Sequence, residues 1–132
     1  MIHASPSGPR AVTLDDGRHA FVSDLTPTVG GADAGPDPHE LLEAALAACT
    51  LQTMTVYAAR KGWALGDTRV EIKVLEEGAA VRIGRRLAFD PSLPADQVAR
   101  LTDIAGKCPI HRLLTAPTTI ETTVVVSLAG PA

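Results

Sequence analysis

Aromatic residues are scarce in this chain, at 3% of 132 residues. That scarcity disfavours a surface built to stack nucleobases. Positive charge is not in excess either. The formal net charge is -3, so the chain offers no attractive field for nucleic acid or an anionic membrane. No apolar run approaches the roughly 20 residues that cross a bilayer. The N-terminus lacks a basic stretch followed by an apolar core, so no signal peptide is expected. Only two cysteines occur. They are too few for a secreted disulfide scaffold, and a reducing, cytoplasmic setting fits better. There is no CxxC pair, and no two histidines stand four apart on one helix, so no metal or other cofactor is expected. Gly30-Gly31 lacks the spacing of a phosphate-binding loop. No Ser-His-Asp arrangement can be placed.

What is present reads as one domain over residues 1–132, without repeats. Residues 1–9, with two prolines and a glycine, are expected to be loose. Arg10 to Leu14 and His19 to Ser23 predict a hairpin about Asp15-Asp16-Gly17. Residues 26–38 form a long loop rich in Gly and Pro, of the kind that lines sites. Pro38 to Lys61 predicts the best helix. Asp37 suits its cap, Glu40 suits its positive end and Gly62 stops it. From Ala44 to Leu51 it is apolar on nearly every side and is expected to be buried all round. Val70, Ile72 and Val74 alternate as a half-buried strand, with Ala79 to Phe89 as its partner. Pro94 to Lys107 predicts an amphipathic helix, Cys108 opens a short one, and Thr118 to Leu128 predicts a last, β-branched strand. The order β-β-α-β-β-α-α-β implies an α+β fold with antiparallel pairing.

The two cysteines stand in settings that differ in kind. Cys108 precedes Pro109, which matches a helix start. A thiolate there meets free backbone N–H groups, and His111 and Arg112 could add positive charge. A plain capping residue is the alternative. Cys49 lies mid-helix among apolar neighbours, where a thiol usually serves as a small hydrophobe and its pKa is raised unless a cation sits beside it. Local chemistry therefore makes Cys108 the easier thiolate.

The run Gly35-Pro36-Asp37-Pro38-His39-Glu40-Leu41-Leu42-Glu43, continuing to Cys49-Thr50, resembles the OsmC/Ohr family of osmotically inducible and organic hydroperoxide resistance proteins. So does Lys107-Cys108-Pro109-Ile110-His111-Arg112 far downstream. Val56 to Trp63 and Asp24 to Gly31 fit the OsmC-like branch. The resemblance runs from about His19 to Val126.

That resemblance implies antiparallel sheets with a long buried central helix, in an intertwined homodimer with sites at the subunit interface. It implies a thiol peroxidase for organic hydroperoxides, re-reduced by a lipoyl-type or other external dithiol. Cys49 becomes the peroxidatic residue and Cys108 the resolving one, reversing the ranking from local chemistry. The family's site glutamate matches Glu40, and Arg18 is the first choice for its arginine, with Arg10 next. Nine residues along one helix place Glu40 and Cys49 on opposite faces, so contact needs a partner subunit or a bend. A non-catalytic OsmC-like redox sensor or small-molecule-binding dimer is the alternative, and a structural dimer with inert thiols is a third reading.

Overall fold

The structure, a computed structural model, describes residues 1–126. These residues divide into two compact units: Met1–Leu41 with residues 118–126, and Leu42–Pro117.

In the first unit, β1 (His3–Pro6), β2 (Val12–Asp15) and β3 (Ala20–Ser23) form one antiparallel sheet in that order. The predicted hairpin is β2–β3, with Val12 opposite Ser23 and Asp15 opposite Ala20. Its turn is tied by the Asp16 carboxylate, which accepts from the Arg18 and His19 N–H groups. Residues 1–9 are not the loose segment their composition predicts. His3 to Pro6 pair with Asp15 to Val12, and Pro6 is tolerated because it closes an outer strand. The Gly-rich loop is ordered by one buried carboxylate. Asp24 accepts from the N–H groups of Leu25, Ala32 and Ala34 at 2.7, 3.0 and 3.1 Å. The Gly31 backbone runs so close to the Leu25 carbonyl that a β-carbon there would overlap it.

Helix α1 spans Pro38–Lys61, as predicted. Asp37 and Glu40 cap it reciprocally: the Glu40 N–H donates to the Asp37 carboxylate at 2.9 Å, and the Asp37 N–H donates to Glu40 at 3.2 Å. Gly62 ends it in the left-handed conformation, φ 70°. The Gly62 and Trp63 N–H groups there donate to the carbonyls of Ala59 and Ala58.

The second unit carries most of α1, the two-stranded sheet β4 (Arg69–Glu76) and β5 (Arg82–Ala88), then α2 (Ala95–Ala105) and α3 (Pro109–Thr115). Met54 and Ala58 of α1 pack with Leu101, Ile104 and Ala105 of α2, flanked by Val70, Leu87 and Trp63. Burying a side chain the size of Met54 or Leu101 contributes about 1.5–3 kcal/mol. The Val74 N–H of β4 donates to the Glu43 carboxylate of α1 at 2.8 Å, next to an irregularity in the β4–β5 register.

Two further expectations are corrected. Within this chain α1 is not buried all round. Leu46, Thr50, Met54 and Ala58 form one buried stripe at a four-residue spacing, while Leu42, Ala44, Ala45, Ala48 and Val56 are exposed. A single two-stranded sheet and one helix cover only one side of such a helix. By length and composition alone α1 could also cross a membrane, a test that core helices pass too. The second correction concerns residues 118–126, which form no strand. Ile120, Val124, Val125 and Val126 are 74–95% exposed, and β-branched residues make a strand only when a neighbouring strand accepts them. The end of that predicted strand, residues 127 and 128, lies outside the described residues.

Candidate functional site

The site is built where α1, β5, α2 and α3 meet in the second unit. Thr50 belongs to the buried stripe of α1 and is fully enclosed. Cys49 is one position away and so points off that stripe. It is half-buried and lines an open recess of ≈ 490 Å³ with Gln52, Thr53, Val56, Tyr57 and Pro109. Arg60 and Lys107 bring positive charge to the same recess.

Cys108 is placed by the turn after α2. Gly106 ends that helix, and Pro109 fixes the first turn of α3. Cys108 is the N-cap residue. Its sulfur, fully enclosed, accepts the His111 N–H at 3.2 Å.

Cys49 lies near enough to Cys108 to act on its ionisation. Burial pushes the Cys108 thiol up, but hydrogen bonds outweigh it and hold the group below its usual range. These come from the Cys49 side chain, the backbone N–H groups of His111 and Ile110, and the Thr50 side chain. Each favours the anion on Cys108.

Thr50 leads to a cation. Arg85 donates from one terminal nitrogen to the Thr50 hydroxyl at 3.1 Å and to the Ala105 carbonyl at 3.3 Å. Its other terminal nitrogen meets His111 Nδ1 at 2.8 Å. A guanidinium can only donate, so Nδ1 accepts, and the ring is neutral in this arrangement. The positive charge in this arrangement is therefore that of Arg85. Arg112 is exposed. On the far side of Arg85 and His111 lies a cavity of ≈ 440 Å³, walled by Leu42, Leu46, Val74, Ile83 and Leu114.

Of the residues singled out from sequence, Cys49 and Cys108 come together. Glu40 serves the capping pair with Asp37. Arg18 sits at the β2–β3 turn, with its backbone N–H on Asp16. Arg10 donates to the Val29 carbonyl at 3.3 Å. Glu40, Arg18 and Arg10 belong to the first unit, and the thiols to the second. Arg85 and Thr50 are missed by sequence reasoning. A signal for Arg85 exists: it shares the strand phase of Ile83 and Leu87, so a charged side chain stands on the core-facing side of β5. Among the described residues no cluster of His, Cys, Asp or Glu could hold a metal ion.

A long helix packed with a two-stranded antiparallel sheet and two shorter helices defines an α+β class of fold. The comparisons place the chain in a family. The pattern of the family described as OsmC-like protein matches residues 30–123. The chain belongs to the OsmC/Ohr family. An OsmC-like protein from Mycoplasma pneumoniae superposes with a TM-score of 0.73 at 20% identity, covering 86% of this chain and 85% of that one. An organic hydroperoxide resistance protein OsmC from Legionella pneumophila gives 0.61 at 20% identity, with 87% and 89% covered. The organic hydroperoxide resistance protein OhrB of Bacillus subtilis gives 0.60 at 21% identity, with 87% and 90% covered. These likenesses establish the fold. No curated protein matches the sequence.

Proposed function

We propose that this protein is a thiol peroxidase that reduces organic hydroperoxides through a two-cysteine cycle. The observation that carries the reading is the thiol pair itself: one sulfur opens on a recess with apolar walls, and the other is sealed beneath it. The Cys49 sulfur attacks the distal peroxide oxygen. The O–O bond breaks, Cys49 becomes a sulfenic acid, and the alkoxide leaves and takes up a proton. The Cys108 thiolate then attacks the Cys49 sulfur. The S–O bond breaks, hydroxide leaves as water after protonation, and a disulfide closes. An external dithiol, of lipoyl type or other, returns two electrons by exchange. The cycle needs no metal, haem or flavin.

The working form we propose is a cytoplasmic homodimer. The exposed side of α1 is the surface for it: Leu42 is 40% and Val56 53% exposed, with three exposed alanines between them. The relatives named for hydroperoxide resistance support the substrate class. The test is turnover of cumene hydroperoxide with a dithiol present. Many equivalents consumed per subunit, with a Cys49–Cys108 disulfide found by mass spectrometry when the dithiol is left out, is the expected result. Consumption of a single equivalent, with the dithiol still present, would favour a redox sensor or small-molecule binder. The ≈ 440 Å³ cavity beside Arg85 is the feature that would serve that second reading.

A further inference from the structure

The second unit carries two hollows that share no lining residue. The recess at Cys49 serves the proposed reaction, and the cavity of ≈ 440 Å³ has no part in it. Its size lies in the range of small-molecule sites. Leu46 of α1, Val74 of β4, Ile83 of β5 and Leu114 of α3 give it apolar walls. Arg85 and His111 line it too, and both have hydrogen atoms to spare. A guanidinium carries five N–H groups. The bonds to the Thr50 hydroxyl, the Ala105 carbonyl and His111 Nδ1 engage three of them. Because Nδ1 accepts, the neutral ring carries its hydrogen on Nε2, as a further donor. These bonds also hold both side chains in place before a ligand arrives, which lowers the entropy lost on binding.

The β4–β5 hairpin gives the cavity a direction. Arg85 pairs with Ile72 in the body of the sheet, whereas Val81 stands at the turn end. Four residues of strand separate Arg85 from Val81, about 13 Å. Glu77, the other charged residue of the lining, lies at that turn end. The cavity is therefore cationic at one end, acidic at the other and apolar between.

We propose that this cavity binds an apolar monocarboxylate, with the carboxylate on Arg85 and His111 and the tail running toward Val81. Hydrogen bonds to an ionised acceptor are about twice as strong as neutral ones, so the carboxylate is favoured over an alcohol. A second negative charge on the far end of the ligand would face Glu77, so one charge is the limit. An extended chain advances about 1.2 Å per bond, so a straight tail of roughly eight to ten carbons spans the cavity. The site does not depend on the peroxidase reading.

Isothermal calorimetry with octanoate tests the proposal. One octanoate per subunit should bind, with a Kd below about 1 mM. Octanol, without the charge, and octylamine, with the opposite one, should each bind at least about tenfold more weakly. Arg85→Gln should weaken octanoate by about tenfold and leave octanol unchanged. Val74→Phe, which fills the cavity from β4, should remove the binding of both. Circular dichroism reports whether each variant folds, and if one does not, the other decides together with the comparison of ligands. The Cys49 recess also holds cations, Arg60 and Lys107, and is the rival place for octanoate. Capping Cys49 with a bulky maleimide should leave octanoate affinity at the parent's value. Affinity lost on capping, octanoate binding kept in Val74→Phe, octanoate no tighter than octanol, or no binding at all overturns the proposal. A protein that binds octanoate in the expected way but is inert toward peroxide keeps this site and loses only the peroxidase reading.

Discussion

Cys49 lies in the middle of α1 and opens on a recess; Cys108 caps α3 and is sealed at 0% exposure. The first has access to solutes. The second sits at a helix cap, where its sulfur accepts the His111 N–H at 3.2 Å. Reactivity in a thiol requires both an anion and a path to the target. The molecule divides these requirements between two sulfurs. A cysteine's role therefore cannot be read from its own surroundings alone when a second thiol lies nearby.

The sharpest way to break this comparison is to remove each sulfur in turn. Cys49→Ser should abolish peroxide consumption, because the attacking atom is gone. Cys108→Ser should consume one equivalent per subunit, then accumulate sulfenic or over-oxidised Cys49. Mass spectrometry after one equivalent shows which sulfur carries the oxygen. Oxygen on Cys108 with Cys49 still a thiol would reverse the roles assigned here.

Access can be tested without chemistry at oxygen. A bulky maleimide should label Cys49 in the native protein and reach Cys108 only through opening of the α2–α3 turn, at least about tenfold more slowly. Denaturant should erase the difference. Equal labelling in native buffer would show that Cys108 is not sealed.

The two sides of α1 extend the contrast. Ala48 is exposed one residue from Cys49, whereas Met54 is fully buried. Ala48→Glu should dissociate the proposed dimer, read by light scattering, with little change in the fold. Met54→Ala should lower stability by about 2–4 kcal/mol, read by denaturant unfolding. Parent protein that scatters as a monomer at micromolar concentration would remove the dimer from the proposal.

Much of this arrangement is legible in the residues, and the limits have physical causes. The helix over 38–61 is marked at both ends, by Asp37 and Gly62, and the structure keeps those bounds. The caps are local chemistry and can be read locally. Strand β1 and residues 118–126 are misread because a strand depends on its neighbour, which composition does not name. The thiol pair is anticipated through the family resemblance, since 59 positions separate Cys49 from Cys108 and no periodicity spans that gap. The contacts of Arg85 with Thr50 and His111 are missed for the same reason. Each link crosses between elements, and only the core-facing phase of Arg85 in β5 hints at it.

The smallest effect is expected at a carboxylate outside both thiols' contacts, which makes it the control. Asp90 follows β5 and ties the loop before β4 to the turn after β5. It accepts from the Asp67 N–H at 2.7 Å and from the Ser92 hydroxyl and N–H at 2.7 and 2.9 Å. The Asp67 bond, then those of Ser92, outweigh burial and hold the carboxyl at about 2. A folded-state value below the unfolded one contributes stability above the unfolded value, and that contribution is lost as pH falls from about 4 toward about 2. Asp90→Asn turns one acceptor oxygen into an NH₂ group facing a donor. It should lower the melting temperature by about 4 °C at neutral pH and by less near the acid end. The ratio of Cys49 to Cys108 labelling should stay at the parent's value. A changed ratio would mean that the contrast between the thiols depends on the packing of the whole unit, and not on the local cap that holds Cys108.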